Sequence, residues 1–327
     1  MKMRSAELKR NESADGEDSS RIPLVLILGP TGVGKTGISI QAAEMLEAEI
    51  VCADSRTLYR GMDIGTAKPS LSQRRLVNHH LVDVAWPDET WSLAKFQREA
   101  GIRIRDINRR GALPLMVGGT GQYIRAVLEG WRAPPVAGQV KMRSALENWA
   151  RETGSRGMHR RLEEIDPDAA RKIEPNNLRR TIRALEVIFI TGRRFSQQSS
   201  RQEPVYRILT LGLDMPRPQL YERVDRRIEA MFEAGFVDEV RALLEAGYSP
   251  ELPAMSAIGY KQVVRYLQGM ITIEEARAEM RRATRIYIRR QANWFKRGDP
   301  RIRWYPVGER IAVELTAYIR DWLDNPL

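Results

Sequence analysis

An eight-residue stretch, Gly29-Pro30-Thr31-Gly32-Val33-Gly34-Lys35-Thr36, constrains the fold of this chain more than any other feature. It has the spacing G-x-x-x-x-G-K-[ST], follows the apolar run Pro23-Leu24-Val25-Leu26-Ile27-Leu28 and opens a helical pattern from about Gly37 to Ala48. A strand that runs through such a loop into a helix is the context that gives the motif its meaning. Glycines let successive backbone N–H groups turn toward one point, and the positive end of the helix favours an anion there. Lys35 adds a point charge for terminal phosphate oxygens, and the Thr36 hydroxyl is placed to hold Mg²⁺. A phosphorylated ligand is therefore expected at Gly29 to Thr36, and the chemistry done on it stays open.

Strand–helix alternation continues to about residue 130. Glu49-Ile50-Val51-Cys52-Ala53 reads as a short strand ending at Asp54, and His79-His80-Leu81-Val82-Asp83-Val84 as another. Residues 92–110 have helical periodicity through Leu93, Phe96, Ala100, Ile104 and Ile107. Leu113-Pro114-Leu115-Met116-Val117 is a strand closed by Gly118-Gly119-Thr120-Gly121, and a helix follows from about Gln122 to Leu128. This order predicts an α/β fold: a P-loop NTPase-like parallel sheet core flanked by helices. In such sheets ligands bind at the carboxyl ends of strands, where the phosphate loop, Asp54 and Gly118-Gly119-Thr120 fall.

A break with Pro134-Pro135 and Gly138 spans Trp131 to Gln139. Residues 140–205 then read as an inserted small all-helical module, punctuated by Pro167, Pro175 and Gly192. Tyr206 to Leu213 is strand-like and returns the chain to the sheet; from Pro218 the pattern is helical over roughly 218–234, 236–246, 258–268, 272–297 and 309–324. The expected organisation is a core of 21–139 and 206–327 with the module at 140–205. Residues 1–20, polar and charged without an apolar segment, read as a disordered tail.

The net charge of +11 exceeds what an enzyme of small metabolites needs and suits a polyanionic partner. The module carries 14 Lys/Arg against 9 Asp/Glu, and residues 281–310 carry 10 against 2. Arg281, Arg285 and Arg289, four apart on one helical face, read as a polyanion contact. The single cysteine, Cys52, excludes a disulfide framework and reads as a small core residue. Without Cys/His clusters a structural zinc site is not expected. No run of 18 apolar residues is present, so no membrane span is expected, and the cytoplasm is the expected compartment. His79 and His80 read as structural, Asp63 as a turn residue.

Hydrolytic P-loop proteins add an acidic residue at the end of an apolar strand to help hold Mg²⁺. Here Leu113 to Val117 ends in Gly-Gly-Thr, and the acid comes at Asp54 instead, a candidate general base or Mg²⁺ partner that also suits a turn cap. Two enzyme classes remain open from residue chemistry: a kinase in which Asp54 activates an acceptor hydroxyl, and a transferase whose loop holds the diphosphate of an activated substrate as a leaving group. A non-catalytic nucleic-acid-binding protein would leave the loop unexplained.

Longer motifs carry a resemblance. The phosphate loop is followed by Asp54-Ser55-Arg56-Thr57-Leu58-Tyr59-Arg60-Gly61-Met62-Asp63-Ile64-Gly65-Thr66-Ala67-Lys68-Pro69, His79-His80-Leu81-Val82-Asp83, Val117-Gly118-Gly119-Thr120-Gly121-Gln122-Tyr123 and Arg183-Ala184-Leu185-Glu186-Val187. Gly259-Tyr260-Lys261-Gln262 and Arg290-Gln291-Ala292-Asn293-Trp294-Phe295 extend it. This series resembles the bacterial tRNA dimethylallyltransferases, also called tRNA isopentenyltransferases, from about Leu24 to Trp304.

The resemblance implies transfer of a dimethylallyl group from dimethylallyl diphosphate to N6 of the adenine directly 3′ of the anticodon, in tRNAs reading codons that begin with U. It implies Mg²⁺ as cofactor, the tRNA anticodon stem-loop as partner, a monomer, and a loop that binds the prenyl diphosphate although it resembles an ATP site. Asp54 is then the expected base, with Thr31 and Arg223 assisting the departing diphosphate; Arg227 neighbours Arg223 one turn on. Gly29, Pro30, Thr31, Gly32, Val33, Gly34, Lys35 and Thr36 would bind the diphosphate, and Thr36 the metal. Asp54, Ser55, Arg56, Thr57 and Thr120 match positions that touch the target nucleotide. Arg179, Arg180, Thr181, Ile182 and Arg183 match a tRNA-contact segment, and Arg143 a further contact. Ala137-Gly138-Gln139 departs from the family's acidic turn at the hinge. A P-loop nucleoside or nucleotide kinase is the alternative.

Overall fold

The computed structural model describes residues 21–130, 139–198 and 205–325. The sheet begins with β1 (Ile22–Leu28), whose last five residues are all buried, as a central strand covered on both faces requires. The chain turns through the glycine loop into α1 (Lys35–Leu46), which ends at Glu47 in a left-handed conformation. The helix therefore starts and stops two residues earlier than its periodicity suggests, and β2 (Ala48–Ala53) follows at once, wholly buried. Next come α2 (Leu71–Leu76) and β3 (His79–His80). The strand expected over His79 to Val84 is cut to two residues: Leu81 and Asp83 take positive φ, 62° and 56°, outside the extended region that regular pairing needs. Then α3 (Leu93–Arg109), β4 (Leu113–Gly118) and α4 (Gly121–Leu128) complete the first half.

Two compact units are present: Met1–Leu128 with Pro204–Leu327, and Glu129–Glu203. The second unit thus starts before residue 140. Its helices are α5 (Val140–Ile165), kinked at Gly154, α6 (Pro167–Arg171), α7 (Leu178–Thr191) and α8 (Phe195–Gln198). Leu146, Met158, Leu162, Ile182, Leu185 and Ile188 form its own core. The tail expected over 1–20 and the break at 131–138 lie outside the described residues.

The first unit resumes with β5 (Tyr206–Asp214), α9 (Arg217–Glu233), α10 (Phe236–Glu245), α11 (Tyr260–Leu267) and α12 (Ile273–Trp294). A strand absent from the sequence reading follows, β6 (Ile302–Pro306), before α13 (Ile311–Asp324). β6 pairs beside β5, from Thr210–Ile302 to Asp214–Pro306. Its residues are half-buried, or exposed in the case of Arg303 and Pro306, which suits a sheet edge, and they lack the apolar run that marks the central strands.

All pairings in the six-stranded sheet are parallel, in the order β3-β2-β4-β1-β5-β6. Gly118 is the register partner of both Leu28 and Ala53, and Leu28 also faces Gly212. The carboxyl ends of β1, β2 and β4 are therefore flush, β5 runs two residues further, and the loops that follow them share one edge.

Candidate active site

The phosphate loop takes its shape from residues that only glycine satisfies. Gly32 and Gly34 have φ of 86° and 104°. A Cβ on Gly32 would lie 2.5 Å from Val224, and one on Gly34 would lie 3.1 Å from the Arg223 guanidinium. Close packing of α9 on the loop brings Arg223 to its mouth. Lys35 Nζ donates to the carbonyls of Gly29 and Pro30, each at 2.9 Å. Burial pulls the Lys35 pKa down to about 8; the Asp54 carboxylate opposes that drop and Arg227 adds to it. Burial likewise lowers Arg227, with Asp54 opposing and Arg223 assisting. Lys35, Arg223, Arg227 and Asp54 form one electrostatic cluster with three cations against one carboxylate, a field suited to a diphosphate.

Asp54 follows the last residue of β2, and its Oδ1 accepts from the Arg56 N–H at 2.8 Å. This local turn fixes the carboxylate at the strand end. Thr120 is drawn in beside it: its N–H donates to the Ala53 carbonyl at 3.3 Å, and its Oγ1 accepts from the Ser55 N–H at 3.2 Å. Two residues of the expected nucleotide contact have partners within the protein. Arg56 donates to the Pro253 carbonyl at 2.8 Å, and Thr57 is buried beneath the turn.

The Gly-Met-Asp-Ile-Gly-Thr-Ala-Lys-Pro run is scaffold. Glu239 accepts from the N–H groups of Asp63, Ile64 and Gly65 at 2.9, 2.6 and 3.2 Å and from the Tyr260 hydroxyl at 2.5 Å. Gly65 is required because a Cβ there would lie 2.1 Å from the Phe236 ring. Lys68, whose side chain is 2% exposed, donates to the Tyr59 carbonyl at 2.7 Å and pairs with Asp63 and Asp83, both at 2.5 Å. Sequence reasoning did not assign Glu239 a role; its acceptance of three consecutive N–H groups has no local sequence signature. Gln291 was missed in the same way: Oε1 accepts from the Thr31 N–H at 2.8 Å and Nε2 donates to the Gly119 carbonyl at 3.0 Å.

His80 Nε2 meets Glu49 at 2.6 Å and His79 Nδ1 meets the Val77 carbonyl at 2.8 Å. Hydrogen bonds from Arg110 are the main cause holding Glu49 down to about 2. Cys52 is buried, and desolvation pushes its thiol up to about 12, which makes it inert at neutral pH.

The arginine stripe of α12 differs from expectation. Arg281 pairs with Glu229, and Arg285 with Asp225 at 2.5 Å, both acids on α9. Two of the three guanidinium groups are thus engaged in joining helices, while Arg289 stays exposed at the edge of a groove of about 670 Å³.

In the second unit Arg179 and Arg180 are exposed at the start of α7. Thr181 is buried and donates to the Asn177 carbonyl at 3.2 Å, and Ile182 sits in the unit's core, so neither presents its side chain to a partner. Arg143 and Arg183 both donate to Oε2 of buried Glu186, at 2.8 and 2.7 Å.

For a divalent cation the chain offers hard oxygens, the Thr36 hydroxyl at the start of α1 and the Asp54 carboxylate. Among the described residues no group of three His, Cys, Asp or Glu side chains is gathered to hold a metal. That donor set fits Mg²⁺, which keeps waters and takes substrate phosphate oxygens in place of an all-protein cage. Among the described residues no helix is long and apolar enough to cross a membrane.

The family model described as IPP transferase matches residues 57–298. A tRNA dimethylallyltransferase of Roseiflexus sp. (strain RS-1) is 49% identical, over 93% of this chain and 99% of its own length. The crystal structure of the full-length tRNA isopentenylpyrophosphate transferase from Bacillus halodurans superposes with a TM-score of 0.70 at 39% identity, covering 93% of this chain and 97% of that one. A eukaryotic dimethylallyltransferase acting on tRNA superposes with a TM-score of 0.76 at 28% identity, covering 92% and 77%.

Proposed function

The chain belongs to the IPP transferase family and is a tRNA prenyltransferase; we propose that it transfers a dimethylallyl group from dimethylallyl diphosphate to N6 of the adenine directly 3′ of the anticodon, in tRNAs reading codons that begin with U, and releases diphosphate. The single observation that carries this reading is the electrostatic cluster at the sheet edge, where Asp54 stands beside a phosphate loop faced by Lys35, Arg223 and Arg227. A kinase is not favoured, since the relatives transfer prenyl groups.

In this reading the N6–C bond forms as the allylic C–O bond breaks, and Asp54 accepts the amino proton. An exocyclic amine is a poor nucleophile, so a fixed carboxylate at hydrogen-bond distance assists most when the bond is forming. Negative charge grows on the departing diphosphate, which the loop N–H groups, Thr31, Lys35 and Arg223 stabilise. Thr36 would hold Mg²⁺, which supplies charge neutralisation to the diphosphate when bound. Ser55 and Thr120 meet the target nucleotide, while Arg56 and Thr57 support the turn that carries Asp54. The adenine enters by flipping from the single-stranded anticodon loop, where unstacking costs least. On the module, Arg179 and Arg180 contact tRNA phosphates, Arg143 and Arg183 flank them, and Thr181 with Ile182 seat the helix. The protein acts as a monomer in the cytoplasm.

A transfer assay with labelled dimethylallyl diphosphate and tRNA, beside labelled ATP and nucleosides, tests the proposal. Label is expected in tRNA from the prenyl donor alone; transfer of the ATP γ-phosphate would sink it.

A further inference from the structure

The last turns of α12 meet the site at a point the transfer chemistry has not used. Gln291, 5% exposed, accepts from the Thr31 N–H of the phosphate loop and donates to the Gly119 carbonyl of the loop that carries Thr120. One amide thus joins the two loops that would hold the leaving group and the acceptor. The join needs an acceptor and a donor on one side chain, which among side chains of this length only glutamine supplies. Its approach is close: a Cβ on Gly119 would lie 2.4 Å from Gln291 Nε2. One turn earlier, the Tyr287 hydroxyl faces Thr120 and Gln291. The helix is also fixed on either side of this point. Arg281 and Arg285 pair with Glu229 and Asp225 of α9, the helix bearing Arg223 and Arg227, and Trp294 packs where a Cβ on Gly121 would lie 2.2 Å from its ring.

Resting on the prenyl-transfer reading, we propose that Gln291 is a positioning residue that sets the separation between the donor's diphosphate and the accepting amino group. It touches neither substrate. Its contribution is geometric: a displacement of about 1 Å between reacting groups costs on the order of a hundredfold in rate. Binding of each substrate alone does not need that separation, so the two effects divide experimentally.

The test compares Gln291→Met, which keeps length and loses both hydrogen bonds, with Gln291→Glu, which keeps the acceptor and loses the donor. Dimethylallyl diphosphate and tRNA are the substrates. The expected result is a fall in kcat of roughly 30-fold or more for Gln291→Met and a smaller fall for Gln291→Glu. The single-turnover rate should fall in parallel, with the Kd of each substrate within about threefold of the unaltered protein. A kcat within threefold, a loss confined to KM, or a loss that only tracks the folded fraction by circular dichroism overturns the proposal. Should neither variant fold, Tyr287→Phe decides, since it removes only the hydroxyl facing Thr120 and Gln291. A kcat about threefold lower at unchanged KM supports the proposal, and an unchanged kcat overturns it. Failure of the underlying reading looks different: the unaltered protein would then transfer no prenyl group at all.

Discussion

Lys35 Nζ donates to the Gly29 carbonyl at 2.9 Å, so the loop's own cation is turned back on the loop's first residue. The Pro30 carbonyl shares it at the same distance. With its pKa lowered from 10.5 to about 8, mainly by burial, Lys35 loses its proton across a range where the unfolded chain still holds one. Between about pH 8 and 10.5 the folded state binds fewer protons, so this residue's contribution to stability rises with pH as the cost of burying its charge disappears. Diphosphate affinity moves the other way, falling toward tenfold per unit above about pH 8 if only the ammonium form binds. Calorimetric titration with inorganic diphosphate from about pH 7 to 9.5 reads this slope, and Lys35→Met should flatten it.

Asp54→Asn preserves the turn with Arg56, because the amide oxygen still accepts from that N–H. Prenyl transfer is expected to fall by about 10²–10⁴, the usual worth of a general base. tRNA affinity should stay within a few-fold, measured by filter binding beside label incorporation. Near-normal turnover would remove Asp54 from the proton transfer.

Glu239 holds three backbone N–H groups and one buried hydroxyl. Removing it in Glu239→Ala leaves these without their partner, so a destabilisation of about 3 kcal/mol is expected from the unmade charge-assisted bonds. Urea unfolding measures it. Tyr260→Phe removes one of the four bonds and should cost about 1 kcal/mol.

Arg179→Ala with Arg180→Ala should weaken tRNA binding and reduce the slope of log affinity against log salt by roughly 0.7–0.9 for each phosphate no longer neutralised. Ile182→Ala acts by another route, destabilising the helical unit by about 2–4 kcal/mol through a cavity in its core. Binding isotherms over a salt series, beside thermal melts, separate the two. An unchanged salt slope in the double variant would place those arginines off the tRNA.

The sheet was legible wherever its signal was local. β1, β2 and β4 are short apolar runs closed by glycine or aspartate, and the phosphate loop announces the first crossover. β6 escaped because an edge strand of mixed residues is defined by its neighbour β5, not by its own pattern. The arginine stripe misled for a similar reason: its acids on α9 stand 52 and 60 residues away in sequence. Gln291 and Thr31 are 260 residues apart, so a bond that defines the site's width has no trace in either segment. Asp54 was legible because its position combines a strand end with the edge where the phosphate loop sits.

The strand order also sets a timetable. β1 lies between β4 and β5, but β4 ends at Gly118 and β5 begins only at Tyr206. A ribosome working at about 5–20 residues per second takes on the order of ten seconds to cross that gap. Throughout it, the wholly apolar β1 has one open edge, the arrangement that invites pairing with a foreign strand. The vulnerable moment in this chain's life falls during its synthesis, and it ends when residues 206–214 emerge to close the ladder.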